Sequence, residues 1–205
     1  MVELFRRCCN AKYIQTSEGG DYAIEIEGDT LYLLFEGSED LKDWINNFDF
    51  PARPYKRMND IWFCHRGFLR VWKSMRDDIE AYVAEILSNH SEITNITIVG
   101  YSQGGALGVL ATENMTYLYG EKYTVTGYGF GAPRVLWGII PKPIKERLKN
   151  FVTIRNIPDL VTHVPPKCLG FRNAGTLLRL GRRGMYNLVD AHRTKSYINV
   201  LDNYL

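Results

Sequence analysis

Residues 95–119 read NITIVGYSQGGALGVLATENMTYLY, and one serine in this stretch stands between glycines. Residues 95–100 form a short β-branched apolar run, the pattern of a buried strand. Residues 103–118 carry Ala106, Leu107 and Leu110 at helical spacing. Gly100-Tyr101-Ser102-Gln103-Gly104 therefore spans a switch from strand to helix with almost no loop between them. A turn this sharp forces its central residue into a strained backbone conformation, and glycines two residues to either side avoid the resulting clash. The turn lifts the Ser102 hydroxyl above the end of a sheet. It also leaves the Gln103 amide at a helix N-terminus, facing any negative charge that develops there.

The flanking sequence supplies the sheet. Residues 22–28 (YAIEIEG) alternate apolar and charged side chains, and Gly28-Asp29 turns them into the apolar run 31–37 (LYLLFEG). This predicts an antiparallel hairpin with its second strand more deeply buried. Phe68, Trp72, Met75, Ile79, Val83 and Ile86 recur at helical spacing and predict a long amphipathic helix over 67–87. A strand at 123–130, a helix near 143–150 and a strand at 151–156 follow. The stretch 175–189 reads as a hairpin around Gly181 and Gly184, and 192–204 as a closing helix. Strands alternating with helices predict an α/β fold: a mainly parallel central sheet, helices on both faces, and an antiparallel N-terminal hairpin. With no repeat or long linker, the 205 residues are expected to form one domain, 1–205.

Composition narrows the partners. A net charge of +2, from 25 basic and 23 acidic residues, argues against bulk binding to nucleic acid. No apolar run reaches the length of a transmembrane segment, and the N-terminus lacks the apolar core of a secretory leader. Cys8 and Cys9 are adjacent, and with Cys64 and Cys168 they form no disulfide framework. Reduced thiols in a cytoplasmic protein are expected. Neither Cys64 with His65 nor His163 with Cys168 has metal-ligand spacing, so neither a metal nor a cofactor is expected. The sequence sets no oligomeric state.

A serine hydroxyl is a weak nucleophile. It needs a base, and that base needs an orienting acid. In α/β-hydrolases the chain order is Ser, then Asp or Glu, then His. This order leaves His163 and His192 as candidate bases. Asp159, in the turn after strand 151–156, sits where a strand end opens toward the serine. His163 lies only four residues beyond Asp159 and reads as a structural or pocket-wall residue. His192, one hairpin further on and at the start of the closing helix, is assigned as the base. Asp190 is close to His192 in sequence but is expected to cap the final helix.

Here the residues meet a known pattern. IVGYSQGGAL resembles the V-x-G-H-S-L-G-G-A-L elbow of the fungal-type (class 3) lipases. GFGAPRV (129–135) resembles their F-G-x-P-R-V, and RNIPDLVTHVPP (155–166) their N-x-x-D-x-V-x-x-x-P-P. FEGSEDLKDW (35–44) is similar to F-R-G-[ST]-x-S-x-x-D-W, and CHRGF (64–68) to V-H-x-G-F. The resemblance implies an α/β-hydrolase with Ser102 as nucleophile, Asp159 as acid and His192 as base. It also implies Ser38 as an oxyanion-hole residue beside the Gln103 amide. Tyr101 and Gln103 depart from the family's histidine and leucine, and Glu36 stands where arginine is common.

Leu41, Trp44, Ile45 and Phe48 form an apolar stripe at i, i+3, i+4 and i+7. Two readings stand: the family's lid over the acyl pocket, or a helix packed permanently on the core. Arg179, Arg182, Arg183, Arg193 and Lys195 make the C-terminal part basic. They read as a solvated hairpin tip, with transient contact to a lipid surface as the alternative. The expected function is a serine carboxylic-ester hydrolase acting through an acyl-enzyme on a lipid or other ester substrate. The alternatives are an acyltransferase with the same triad, or an inactive hydrolase fold that binds lipid or protein.

Overall fold

The computed structural model describes residues 1–16, 19–37, 51–57, 60–184 and 186–204, with residue 57 described for its backbone only. Ser38 and the stripe Leu41, Trp44, Ile45 and Phe48 lie outside these residues. The central sheet has six strands in the order β1-β2-β5-β6-β8-β10. β1 (Tyr22–Glu27) and β2 (Thr30–Phe35) form the expected antiparallel hairpin, with Tyr22 opposite Phe35. From β2 onward every pairing is parallel: β2 with β5 (Asn95–Tyr101), β5 with β6 (Thr124–Phe130), and β6 with β8 (Phe151–Asn156). The last pairing, β8 with β10 (Thr176–Leu180), is parallel too. The strands therefore deliver their C-terminal ends to one edge, where a parallel α/β sheet holds its ligands.

Alternation along the strands divides the core into two layers. Leu31, Leu33 and Phe35 of β2 and Ile96 and Ile98 of β5 face one side. There they pack with Trp72, Met75, Ile79 and Val83 of α2 (Arg66–Asn89) and Leu107 and Leu110 of α3 (Gln103–Tyr119). Leu34, Val99, Phe130 and Ile154 face the other side, against Phe5 of α1 (Val2–Asn10) and Tyr197 and Val200 of α5 (Thr194–Asp202). Helix α4 (Lys142–Arg147) lies between β6 and β8. His65 ends β4 (Asp60–His65) and caps α2, its Nδ1 accepting from the Phe68 amide at 3.4 Å. All four cysteines are free.

Several elements depart from the sequence expectation. β3 (Ala52–Arg57), β4, β7 (Leu136–Trp137) and β9 (Phe171–Arg172) form a second antiparallel sheet. Pro54 lies in β3, at the edge of this sheet, where a missing amide is tolerated. The hairpin expected around Gly181 and Gly184 does not form. β10 takes β8 as its partner, and after it the chain turns away at two left-handed glycines toward a short 3-10 turn at Asp190–His192. The closing helix begins at Thr194, after His192 rather than at it. Asp190 does not cap that helix. Its carboxylate accepts from Asn187 Nδ2 at 2.5 Å and pairs with Arg193 Nε at 2.9 Å, while its carbonyl accepts from Ser196. α1 also went unread. With only Phe5 and Cys8 buried it has too few anchors to show a period, and packing against the sheet holds it.

Candidate active site

Ser102 has φ 55° and ψ −122°, the one non-glycine residue with positive φ among those described. Its amide donates to the Phe130 carbonyl at 2.9 Å and its carbonyl accepts from Ala106, so both flanking peptides are clamped. The glycines of the motif are sterically required. A Cβ on Gly100 would lie 2.1 Å from the Gly104 carbonyl oxygen, and one on Gly104 would lie 2.2 Å from the Phe35 carbonyl oxygen. Backbone held this far from the common regions stores about 1–3 kcal/mol. The Gln103 amide opens α3, at the positive end of the helix dipole beside the serine.

His192 Nε2 lies 2.8 Å from Ser102 Oγ, and His192 Nδ1 lies 2.8 Å from Asp159 Oδ2. All three side chains are buried. The carboxylate can only accept, so Nδ1 carries the proton and Nε2 is left to accept from the serine. Asp159 Oδ1 accepts from the Val161 amide at 2.9 Å. The turn that delivers Asp159 is closed by its own amide bonding to the Asn156 carbonyl. Asn156, fully buried, also donates through Nδ2 to the Ala191 carbonyl at 2.9 Å, tying the aspartate turn to the histidine turn.

Sequence reasoning missed several supporting groups. Tyr197 donates from its hydroxyl to Asp159 Oδ2 at 2.6 Å and accepts from the Asn156 amide at 3.1 Å. Burial, and then the Asp159 charge, push its phenol pKa far above the usual range. Tyr101 stacks on the imidazole of His192, with centroids 5.2 Å apart at 19°, and its hydroxyl donates to the His192 carbonyl. Phe5 of α1 meets Tyr101 edge-on at 5.3 Å and Tyr197 at 5.7 Å. Gly131, at φ +60°, leaves room for the imidazole: a Cβ there would lie 3.0 Å from His192 Cε1. Tyr101 carried a signal, since it departs from the family's elbow. Tyr197 carried none beyond that of a core aromatic.

The structure thus brings Ser102, Asp159 and His192 together, with the Gln103 amide next to the serine. His163 lies apart, exposed at the end of an otherwise buried 3-10 turn (Val161–His163), where it walls a groove. Burial, then the guanidinium groups of Arg155 and Arg134, hold its pKa below the ordinary value of 6.5. Among the described residues no group of three or more His, Cys, Asp or Glu side chains converges as metal ligands.

Residues 32–168 match the sequence model of the class 3 lipases. The chain belongs to the class 3 lipase family. The matched span includes Ser102 and Asp159 and stops short of His192, whose place is read from the hydrogen bonds above. A lipase of Rhizomucor miehei is 26% identical over 157 residues, covering 71% of this chain and 40% of the relative. The secreted mono- and diacylglycerol lipase A of Penicillium cyclopium is 27% identical over 157 residues, covering 76% and 50%. A chloroplastic phospholipase A(1) of Arabidopsis thaliana is 24% identical over 222 residues, covering 85% and 50%. The chain spans half or less of the length of these curated relatives. Among solved structures, lipase II from Rhizopus niveus superimposes with a TM-score of 0.71 at 24% identity, over 82% of this chain and 64% of that one. The lipase of Rhizopus microsporus var. chinensis gives 0.70 at 19% identity, over 92% and 69%. The fold is the α/β-hydrolase fold of these lipases.

Proposed function

We propose that this protein hydrolyses carboxylic esters of lipids through an acyl-enzyme. The observation that carries the proposal is the imidazole of His192, held at 2.8 Å from both Ser102 Oγ and Asp159 Oδ2. Ser102 Oγ attacks the ester carbonyl carbon as its proton passes to His192 Nε2. The carbonyl oxygen, now negative, is met by the Gln103 amide at the start of α3, with Ser38 as the second donor on the family pattern. Collapse of this intermediate breaks the bond to the alcohol, which leaves with the proton from Nε2. Water then attacks the acyl-enzyme, again giving its proton to His192, and the carboxylic acid departs. Asp159 keeps Nδ1 protonated and stabilises the imidazolium in both half-reactions. The lipid substrate class is supported by the names of the relatives.

A fluorophosphonate probe tests this reading on intact protein. One adduct is expected, on Ser102, lost in Ser102→Ala. A chain-length series of p-nitrophenyl esters should be turned over by the wild type alone. No adduct on folded protein, together with no ester turnover, would overturn the reading in favour of an inactive fold. Transfer of the acyl group to an added alcohol in preference to water would make the protein an acyltransferase.

A further inference from the structure

Helix α1 has two fully buried side chains, Phe5 and Cys8, and both end beneath the candidate active site. The Phe5 ring meets Tyr101 edge-on at 5.3 Å between centroids, Tyr197 at 5.7 Å and Phe130 at 4.8 Å. Tyr101 and Tyr197 in turn lie 5.8 Å apart at 67°. The rings of Phe5, Tyr101 and Tyr197 therefore close a triangle, with its corners on α1, the end of β5 and α5. Cys8 Sγ donates to the Phe35 carbonyl at 3.4 Å. A Cβ on Gly104 would strike that same oxygen, so the thiol touches the strand end that packs against the elbow.

Each tyrosine of the triangle holds one member of the hydrogen-bonded chain that ends at Ser102. Tyr101 stacks on the His192 imidazole and bonds to the His192 carbonyl. Tyr197 donates to Asp159 Oδ2 at 2.6 Å. Edge-to-face rings have a preferred separation and tilt, so a flat ring at Phe5 sets how the two tyrosines stand to one another. The docking of α1 falls chiefly to Phe5 and Cys8. Nine residues are too few for a helix to stand alone, and Val2 and Leu4 are only partly buried. The ion pairs of Arg6 with Asp202 and of Arg7 with Glu25 and Glu27 are partly open to solvent, where such pairs contribute little.

We propose that Phe5 is a positioning residue for His192 and Asp159. Docking of α1 sets the two tyrosines, and the tyrosines hold the imidazole at 2.8 Å from Ser102 Oγ on one side and from Asp159 Oδ2 on the other. The inference rests on the ester-hydrolase reading above and extends the support of that site to α1. A ring that acts through Tyr101 and Tyr197 changes the alignment of the reacting groups and not the hold on substrate. Its loss therefore belongs in kcat, with KM unmoved.

The test compares Phe5→Ala and Phe5→Leu with Ile79→Ala, which empties a buried position in the other core layer. All are assayed on a soluble p-nitrophenyl ester well below their melting temperatures. Phe5→Ala is expected to lower kcat about tenfold with KM within about twofold of wild type. Phe5→Leu, which still fills part of the space, should lose less. Ile79→Ala should lose stability and keep its kcat. The proton shared by His192 Nδ1 and Asp159 gives a second readout, a downfield NMR resonance that needs no turnover. It should shift or broaden in Phe5→Ala and stay in place in Ile79→Ala. Where Phe5→Ala fails to fold, Phe5→Leu carries the same comparison. Equal losses of kcat in the Phe5 variants and Ile79→Ala, in proportion to lost stability, overturn the inference in favour of packing alone. A raised KM at unchanged kcat overturns it in favour of substrate binding, and so does an unmoved resonance in favour of some other cause. If the wild type hydrolyses no ester and the resonance still responds to Phe5→Ala alone, the positioning role stands and the hydrolase reading falls.

Discussion

Tyr101 holds His192 twice: its ring lies on the imidazole, 5.2 Å between centroids, and its hydroxyl donates to the carbonyl of the same residue. The imidazole must serve two partners at 2.8 Å on opposite nitrogens, so a small rotation lengthens one bond as it shortens the other. The tyrosine precedes the serine on the elbow, so Ser102 and His192 are registered through adjacent residues. Tyr101→Phe keeps the stacking and removes the bond to the carbonyl. Tyr101→Ala removes both. We expect kcat to fall about threefold to tenfold in the phenylalanine variant and about a hundredfold in the alanine variant, with KM little changed in each. Steady-state kinetics on a soluble ester, beside melting curves, separate this from a packing role. A fall in kcat only in proportion to lost stability would refute the positioning role.

The elbow predicts an inversion of the usual glycine penalty. Ser102→Ala and Ser102→Gly both lose the hydroxyl and its bond to His192, but only alanine keeps a side chain at φ 55°, ψ −122°. Relief of about 1–3 kcal/mol of strain outweighs the roughly 0.5–1 kcal/mol that glycine costs through its unfolded-state entropy. Ser102→Gly should therefore melt about 2–4 °C above Ser102→Ala. Equal melting temperatures would show that the elbow is not strained.

His163 supplies a pH dependence. Burial, then Arg155 and Arg134, hold its folded pKa below 6.5, with Lys167 acting in the same direction and Asp159 against it. Just below pH 6.5 the unfolded chain binds a proton that the folded chain resists, so stability falls as the pH drops through that window. Above pH 6.5 both states are neutral and the penalty is absent. His163→Gln removes the titration. Its melting temperature relative to wild type should be higher at pH 5 than at pH 8, by no more than about 2 °C for so exposed a ring. The opposite ordering would mean that a local anion holds the imidazolium.

The parts of this fold legible in the sequence were those with a repeating signal or a forced one. Periods of two and of about 3.6 residues mark β1 and α2, short apolar or β-branched runs mark β2, β5, β6 and β8, and the glycines around Ser102 mark the elbow. Leu136–Trp137 and Phe171–Arg172 are too short to alternate, so the second sheet left no trace. β10 was read as half of a hairpin because left-handed glycines follow it; its true partner, β8, precedes it in the chain with a long loop between. Tyr197 and Asn156 support the candidate triad through single hydrogen bonds across 35 or more residues, and such pairings leave no local pattern.

The choice of acid is the sharpest remaining test, because Asp190 lies two residues from His192 and Asp159 lies 33 residues away. Asp190 is turned outward to Asn187 and to Arg193, whose side chain is 72% exposed. Asp159 is fully buried and accepts from His192, Tyr197 and Val161. In Asp159→Asn the amide can donate to Nδ1, which favours the tautomer with its proton on Nε2 and leaves the serine without an acceptor. We expect kcat to fall about ten-thousandfold, as when the orienting acid of other triads becomes an amide. Asp190→Asn breaks an exposed ion pair worth about 0–1 kcal/mol and leaves both ring nitrogens as they were. Its kcat should stay within about twofold of wild type. The fluorophosphonate labelling rate gives a second readout, since it reports serine activation without the later steps. Loss of turnover and labelling in Asp190→Asn, with both retained in Asp159→Asn, would transfer the role to Asp190 and refute the proposed triad.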